Sequence, residues 1–196
     1  MAVTKIKTTS SFTNLTKYDS FLAGNAAYIP TSYESIASAT GTGSSGTITF
    51  SSIPSTYTSL QIRYQFQSVA AGNAVYMTLN NDTSASYVFH HLYGNGSTVT
   101  AGGSVSQNRL SVDSQASGPT ATSPVVGIID IHDYLSTTRN KTVRVMAGVD
   151  TNGGGDINLL SGLWINTNSV NRLDFTLGAS SFTTSTTISL YGIKGA

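Results

Sequence analysis

Three histidines, His90, His91 and His132, are the imidazoles available for acid–base or metal chemistry. His90 and His91 are adjacent in a segment that predicts a β-strand, where successive side chains point to opposite faces. We therefore do not expect them to bind one metal ion together. His132 precedes Asp133, and a carboxylate beside an imidazole can orient it for proton transfer. Because the sequence shows no third partner, we predict a hydrogen-bonded strand end and a protein that is not an enzyme.

The segment from Asp150 to Asp156 has two interpretations. Asp150, Asn152 and Asp156 alternate with other turn residues, as the oxygen ligands of a calcium loop do. The complete EF-hand pattern is absent, because no glutamate follows to close the loop. A glycine-rich hairpin turn explains the same residues. We predict the turn, keep calcium binding as the alternative, and predict no cofactor.

Aromatic residues form a third candidate site. Tyr87, Phe89 and Tyr93 share one face of a predicted strand, and Trp164 lies in another. Exposed aromatic rings can stack on the apolar faces of sugars. Burial in the core is the other interpretation, and it is favoured for Phe89 and Trp164. Tyr87 and Tyr93 are therefore the candidate contacts for a glycan.

Short strands would position all of these residues. In residues 60–67 apolar and polar residues alternate, so Leu60, Ile62, Tyr64 and Phe66 share one buried face. Residues 125–131 are almost continuously apolar, which predicts a central strand with both faces covered. Residues 98–123 are rich in Ser, Gly and Ala and predict a long loop with one strand at 108–112. Further strands are predicted at 47–50, 75–79, 87–93, 141–149, 157–165, 173–177 and 188–190.

The spacing of these strands defines the predicted fold. Clusters of Gly, Asn, Asp, Ser and Pro separate them, as in sandwiches and barrels. We predict an all-β protein: an antiparallel, two-sheet β-sandwich of the jelly-roll type, which accommodates this number of strands. The sandwich would span residues 33–196, preceded by a short irregular arm at residues 1–32.

Composition limits the function. The chain has 196 residues, of which 39% are hydrophobic and only 10% charged, enough for one domain with its own core. The absence of cysteine excludes disulfides and thiolate chemistry. Net charge is +1 with scattered Lys and Arg, so we predict no nucleic-acid partner. No apolar stretch approaches the ~20 residues of a membrane helix, and no secretory segment is evident, so we predict no membrane partner and synthesis in a cytoplasm.

The arm ends in an apolar group comprising Phe21, Leu22, Tyr28, Ile29 and Pro30. Two interpretations stay open. The arm packs along its own domain, or it is an anchor that becomes ordered on another protein.

Several blocks of sequence together resemble a group of structural proteins from tailed phages, common among cyanophages and other marine phages. The blocks are Tyr18–Pro30, Tyr33–Ile36, Ile53–Arg63, Asn81–Thr83, Tyr87 with His91–Gly94, and Leu190–Lys194. They extend over nearly the whole chain from Lys17.

The resemblance implies a component of the virion, made in the cytoplasm of the host bacterium. Proteins of this kind occur as head decorations, head fibres and parts of tail fibres. We therefore expect a capsid decoration or head-fibre protein attached through its arm, with other virion proteins as partners and a homo-oligomer, with a trimer as the first expectation. The alternative is a tail-fibre or receptor-binding module that recognises a host surface glycan.

Overall fold

The protein is all-β. The structure, a computed structural model, describes residues 32–70, 72–116, 123–151 and 153–195, and these residues contain no helix. No helix that could cross a membrane is found among them. The strands are β1 (Tyr33–Thr40), β2 (Thr47–Phe50), β3 (Ser59–Phe66), β4 (Asn73–Leu79), β5 (Tyr87–Gly94), β6 (Val99–Gln107), β7 (Leu110–Ala116), β8 (Val125–His132), β9 (Lys141–Asp150), β10 (Gly155–Trp164), β11 (Leu173–Leu177) and β12 (Thr187–Ile193). The arm at 1–32 lies outside the described residues except for Ser32.

The strands form two antiparallel sheets that pack as a sandwich. The large sheet has eight strands in the order β1-β12-β3-β8-β9-β10-β5-β6. The small sheet has four strands in the order β2-β11-β4-β7. Every pair of neighbouring strands is antiparallel, as predicted.

The connectivity is that of a jelly roll with an inserted hairpin. A jelly roll places its first, eighth, third and sixth strands in one sheet and its second, seventh, fourth and fifth in the other. The small sheet matches the first set if β2 is counted as the first strand. The large sheet matches the second set if the meander β8-β9-β10 takes the place of the seventh strand, and β1 and β12 extend its edge. The predicted fold is confirmed.

The core lies between the sheets and follows the period of two. Leu60, Ile62 and Phe66 of β3 have no exposed surface, and Tyr64 is almost fully buried, as the alternation predicts. The small sheet faces them with residues such as Met77 and Phe175. Phe66 and Phe175 meet with ring centroids 6.1 Å apart. Burial of these large side chains is the main stabilising contribution to the sandwich.

One prediction about β8 is wrong. Its inward residues Val125, Ile129 and Ile131 are fully buried, but Val126 is half exposed on the other face. Ile128, beyond Val126 on that same face, is only partly buried. A continuous apolar run does not reveal whether anything covers its second face, and no described residue covers this one.

A second correction concerns the predicted loop at 98–123. Residues 99–107 form β6, the edge strand of the large sheet, and the strand predicted at 108–112 is β7 at 110–116. The sequence obscured β6 because Gly102, Gly103 and its serines have low strand propensity. The glycines pack closely against β5: a Cβ at Gly102 would lie 2.9 Å from the His91 ring, and one at Gly103 would lie 2.9 Å from the Phe89 carbonyl oxygen.

Candidate functional site

The outward side of the large sheet, here called the outer face, carries an unusual apolar row. The strand register aligns Ala101, Leu92, Leu159, Met146 and Ile128 directly across β6, β5, β10, β9 and β8. Leu92 is 47% exposed, Leu159 45% and Met146 52%. Contiguous exposed apolar surface on a protein marks an interaction site more often than isolated apolar residues do.

A second row lies beside the first, two residues along each strand. It aligns Val99, Gly94, Ile157, Gly148 and Val126 across the same five strands. Ile157 is 55% exposed and Val126 52% exposed. Large and small residues therefore alternate across this row, and Gly94 and Gly148 are the positions without a side chain.

Polar groups border the apolar rows on the opposite side. His90, Ser161, Arg144, Asp130 and Gln61 follow one another across β5, β10, β9, β8 and β3. The Gln61 amide donates to Asp130 Oδ1 at 2.8 Å. A shallow depression of about 590 Å³ lies between this polar row and the apolar one. The outer face thus combines an apolar centre with a polar rim, the composition found in protein interfaces.

A separate cleft opens on the inner side of the large sheet, where β5, β6 and β10 meet β7. It measures about 410 Å³, and Phe89, His91 and Tyr93 of β5 line one wall. Leu160 and four polar residues complete the lining, the polar residues being Thr100, Ser104, Ser111 and Asn158. Thr100 and Asn158 are the direct cross-strand neighbours of Tyr93.

The polar groups of the cleft are available to a ligand. Within the described part of the chain, the side chains of Thr100, Ser104, Ser111 and Asn158 form no hydrogen bonds. Asn158 is only 6% exposed, but its amide atoms still reach solvent in the cleft. Amide and hydroxyl groups without a partner in the described chain can hydrogen-bond a ligand that enters the cleft.

The two tyrosines proposed for glycan contact have different environments. Tyr93 lines the cleft. Tyr87 is fully buried, and its hydroxyl donates to the backbone oxygen of Asp82 at 3.0 Å and accepts from Leu79 N at 2.9 Å. Burial raises the pKa of Tyr87 well above its usual range. Tyr87 is therefore a core residue, and its assignment as a surface contact is corrected here.

Trp164 and Phe89 are placed largely as expected. Trp164 is 1% exposed, and its indole N–H donates to Asp82 Oδ2 at 2.7 Å. Phe89 is half-buried and packs against the core while also lining the cleft. His90 and His91 lie on opposite faces of β5, as predicted: His90 borders the outer face, and His91 lines the cleft.

His132 and Asp133 are not assembled into a catalytic pair. His132 Nδ1 lies 3.3 Å from Oγ of Ser59, which is its cross-strand neighbour in β3. Asp133 Oδ2 instead pairs with Arg139 Nη2 at 2.5 Å. Asp133 adopts a left-handed conformation with φ 51°, which ends β8 in a turn. The geometry is that of a hydrogen-bonded strand end.

The acidic segment at 150–156 is the hairpin that joins β9 to β10. Thr151 N and Thr151 Oγ1 both donate to the Gly154 carbonyl, at 2.8 and 2.9 Å. A Cβ at Gly155 would lie 2.5 Å from the Val149 carbonyl, so glycine is required there. The predicted turn is confirmed.

The calcium alternative at this hairpin stays a prediction. Asn152 lies outside the described residues, and burial raises the pKa of Asp156. In the described ranges no group of three or more His, Cys, Asp or Glu side chains could hold a metal ion.

The candidate anchor also lies outside the described residues. It comprises Phe21, Leu22, Tyr28, Ile29 and Pro30. Its role therefore stays a prediction.

Sequence reasoning missed the apolar rows and Asn158. A signal was present in β10, where Leu159 and Leu160 are adjacent and must point to opposite faces. Such a strand is apolar on both sides, although only Leu160 reaches the core. Asn158 carries no comparable signal, because one amide in a strand is ordinary on a solvent face.

Fold and sites together define a jelly-roll β-sandwich module with an apolar sheet face and an aromatic-lined cleft. Comparisons with models of known families, with curated proteins and with solved structures find no match to this chain. The resemblance to tailed-phage structural proteins therefore stays a prediction.

Proposed function

We propose that this chain is a non-enzymatic structural protein of a bacteriophage particle, a capsid decoration or head-fibre component attached through residues 1–32. The observation that carries the proposal is the apolar outer face, above all the row formed by Leu92, Leu159 and Met146. Strands exposed to water usually present polar residues outward. An apolar sheet face is favourable when another protein surface covers it, as in an assembled particle.

The chemistry of the described residues supports a structural role. The three histidines lie at different places on the protein: His90 on the outer face, His91 in the cleft, and His132 at a strand end beside Ser59. An enzyme needs a nucleophile, a base and an orienting group that converge on one point. A role in binding other proteins explains the separate positions of these residues better than catalysis does. The proposed location is the virion, after synthesis in the cytoplasm of the host bacterium.

The experiment is quantitative mass spectrometry of particles purified by density gradient from the phage that encodes this chain. A structural component is expected at a fixed ratio to the major capsid protein through successive purification steps. A host protein of similar abundance in the lysate serves as the control for carry-over. Loss of the chain in parallel with that control would contradict the proposal.

The cleft favours a second candidate function, recognition of a host surface glycan by a tail-fibre or receptor-binding module. Neutral sugars are bound by aromatic rings that stack on their apolar faces and by amides and hydroxyls that hydrogen-bond their own hydroxyls. Tyr93, Asn158 and Thr100 supply these groups side by side. The side chains named for the cleft lining include no carboxylate or ammonium, which fits a neutral saccharide.

Binding of the chain to purified host polysaccharide tests this second function. Asn158→Ala and Tyr93→Ala should each weaken binding at least about tenfold, the effect of removing one buried hydrogen bond or stacking contact. Tyr33→Ala is the matched control, because Tyr33 is a partly exposed tyrosine at the other edge of the large sheet. Equal binding by all three variants would remove the cleft from consideration.

A further inference from the structure

We infer that the outer face pairs with the outer face of a second copy of this chain. The two copies are related by a two-fold axis that runs parallel to the strands and lies above the boundary between the adjacent strands β9 and β10. This inference rests on the proposed structural role and names the partner of the apolar face. A two-fold interface brings the same surface patch of both subunits together, so the patch must complement itself. The register of the large sheet allows that complementarity to be checked residue by residue.

Under this axis the apolar row of one copy lies against the apolar row of the other, so apolar side chains contact apolar side chains. The rotation exchanges β9 with β10 and β8 with β5. Met146 then faces Leu159 of the second copy, and Ile128 faces Leu92, because each pair is equidistant from the axis in the row. Apolar side chains that are half exposed in one chain would leave water in the pair.

The second row supplies a fit of shapes. Under the same rotation Ile157 faces Gly148 of the second copy, and Val126 faces Gly94. Gly148 has no side chain, and the atoms nearest to the place of its missing Cβ are backbone atoms of Asp156 and Ile157, so an isoleucine from the opposite sheet would pack against backbone there. Val126 meets the methyl groups of Ile157 and Val99, which lie about Gly94. Alternating large and small residues are what face-to-face sheets need to interdigitate.

The polar row supplies complementary charge. Asp130 faces His90 of the second copy, and Arg144 faces Ser161. Each carboxylate thus receives an imidazole donor and each guanidinium a hydroxyl acceptor. An axis perpendicular to the strands would instead set Asp130 against Val126 and Arg144 against Gly148. That arrangement would bury charges against apolar groups and is disfavoured.

The available area is sufficient. Under this axis six strands of each copy overlap, β3, β8, β9, β10, β5 and β6, and at a spacing of ~4.8 Å they span ~24 Å. Strands of ~8 residues at ~3.3 Å per residue are ~26 Å long, so the overlap measures ~620 Å² on each partner. The total of ~1,240 Å² lies at the lower end of the ~1,200–2,000 Å² that specific, stable interfaces bury. The strands β1 and β12 would extend beyond the contact.

Sedimentation velocity of the full chain over a range of concentrations tests the inference. The wild-type chain is expected to sediment as a dimer, and Met146→Asp to weaken the dimer by at least about 100-fold, since it buries an unpaired carboxylate at the centre. Leu159→Asp is a second variant with the same expectation. Ile165→Asp is the matched control, because Ile165 is 50% exposed, close to the 52% of Met146, but lies beyond the end of β10.

A charge exchange tests the axis itself. Asp130→Lys and His90→Glu should each weaken the dimer about tenfold, and the double variant should recover to within about threefold of the wild type. Within one chain the two positions are three strand spacings apart, ~14 Å, beyond the ~10 Å screening length at 0.1 M salt. Recovery therefore reports contact between two chains.

Three results would overturn the inference: a monomer up to the highest concentration that stays in solution, a trimer, or a dimer that Met146→Asp leaves unchanged. A double charge variant that is no better than the single variants would overturn the axis. A monomeric chain that is nevertheless present in purified particles would contradict the dimer but support the proposed function. A dimer that is absent from particles would support the dimer but contradict the proposed function.

Discussion

The carboxylate of Asp82 organises the turn between β4 and β5. It accepts hydrogen bonds from Ser84 N and Ser84 Oγ at 2.9 and 2.6 Å, from Ser86 Oγ at 2.8 Å and from the Trp164 indole at 2.7 Å. Burial by itself would raise the pKa of Asp82, but the bonds from Ser84, Trp164 and Ser86 outweigh it and hold the pKa well below its usual range. A single acid thereby joins the turn to the buried tryptophan of β10.

Asp82→Asn should lower the free energy of unfolding by about 1–3 kcal/mol at neutral pH, because the hydrogen bonds lose their charged acceptor. The pKa of Asp82 is lower in the folded than in the unfolded state, where it is about 3.9. The stabilisation is therefore complete above about pH 5, begins to decrease as the pH falls below about 4, and is lost only as the pH falls through the depressed pKa of the folded state. Urea unfolding at several pH values should show the gap between wild type and variant closing in acid. A gap that persists unchanged at low pH would contradict this assignment.

Lys141 shows what the sequence could not reveal at this scale. Its place beside Arg139 and Arg144 suggests a loose basic group, yet Lys141 is fully buried. Its ammonium donates to the carbonyl oxygens of Ser136, Arg139 and Thr167, at 2.6, 2.8 and 3.2 Å. Burial lowers the pKa of Lys141. Nothing local in the sequence specifies three carbonyls that converge from two separate turns.

At the scale of the strand, β3 is the element that sequence predicts best. Ile62→Asp should destabilise the protein by more than about 4 kcal/mol, since it places an unpaired charge where no surface is exposed. Thr142→Asp is the control, because Thr142 is an exposed strand residue on the opposite side of the same sheet. Thermal unfolding followed by circular dichroism measures both. A mild effect at Ile62 would mean that the buried face of β3 is assigned incorrectly.

Alternation identified the inward face of β3, β9 and β11, because most residues on the other side of each strand are polar or small, Met146 of β9 being an exception. It failed for β8 and β10, where apolar residues such as Val126 and Leu159 lie on both sides. A period of two reports which residues share a face but not whether that face is covered. Tyr87 and Tyr93 show the same limit, because they share a face of β5 but only Tyr87 is fully enclosed.

For the whole molecule, the sequence predicted the class of fold and the antiparallel sandwich. It did not predict the unequal division into eight and four strands. That division arises because β8, β9 and β10 form a meander in place of one strand, and because β1 and β12 pair with each other beside β3. The unequal sheets have a consequence for function. The small sheet cannot cover all of the large one, which leaves the cleft beside β7 open.

The complete sandwich gives the final prediction, which concerns residues 1–30. Among the described residues, the strands of both sheets begin at or after Tyr33, and the buried apolar residues run from Ile48 to Leu190. A chain without residues 1–30 should therefore still unfold cooperatively, with a Tm within a few degrees of the full chain.

If the apolar group of the arm is the anchor, the same shortened chain should be missing from particles that incorporate the full chain. Loss of cooperative unfolding on deletion would instead show that the arm packs against its own domain, and normal incorporation would show that attachment uses another surface.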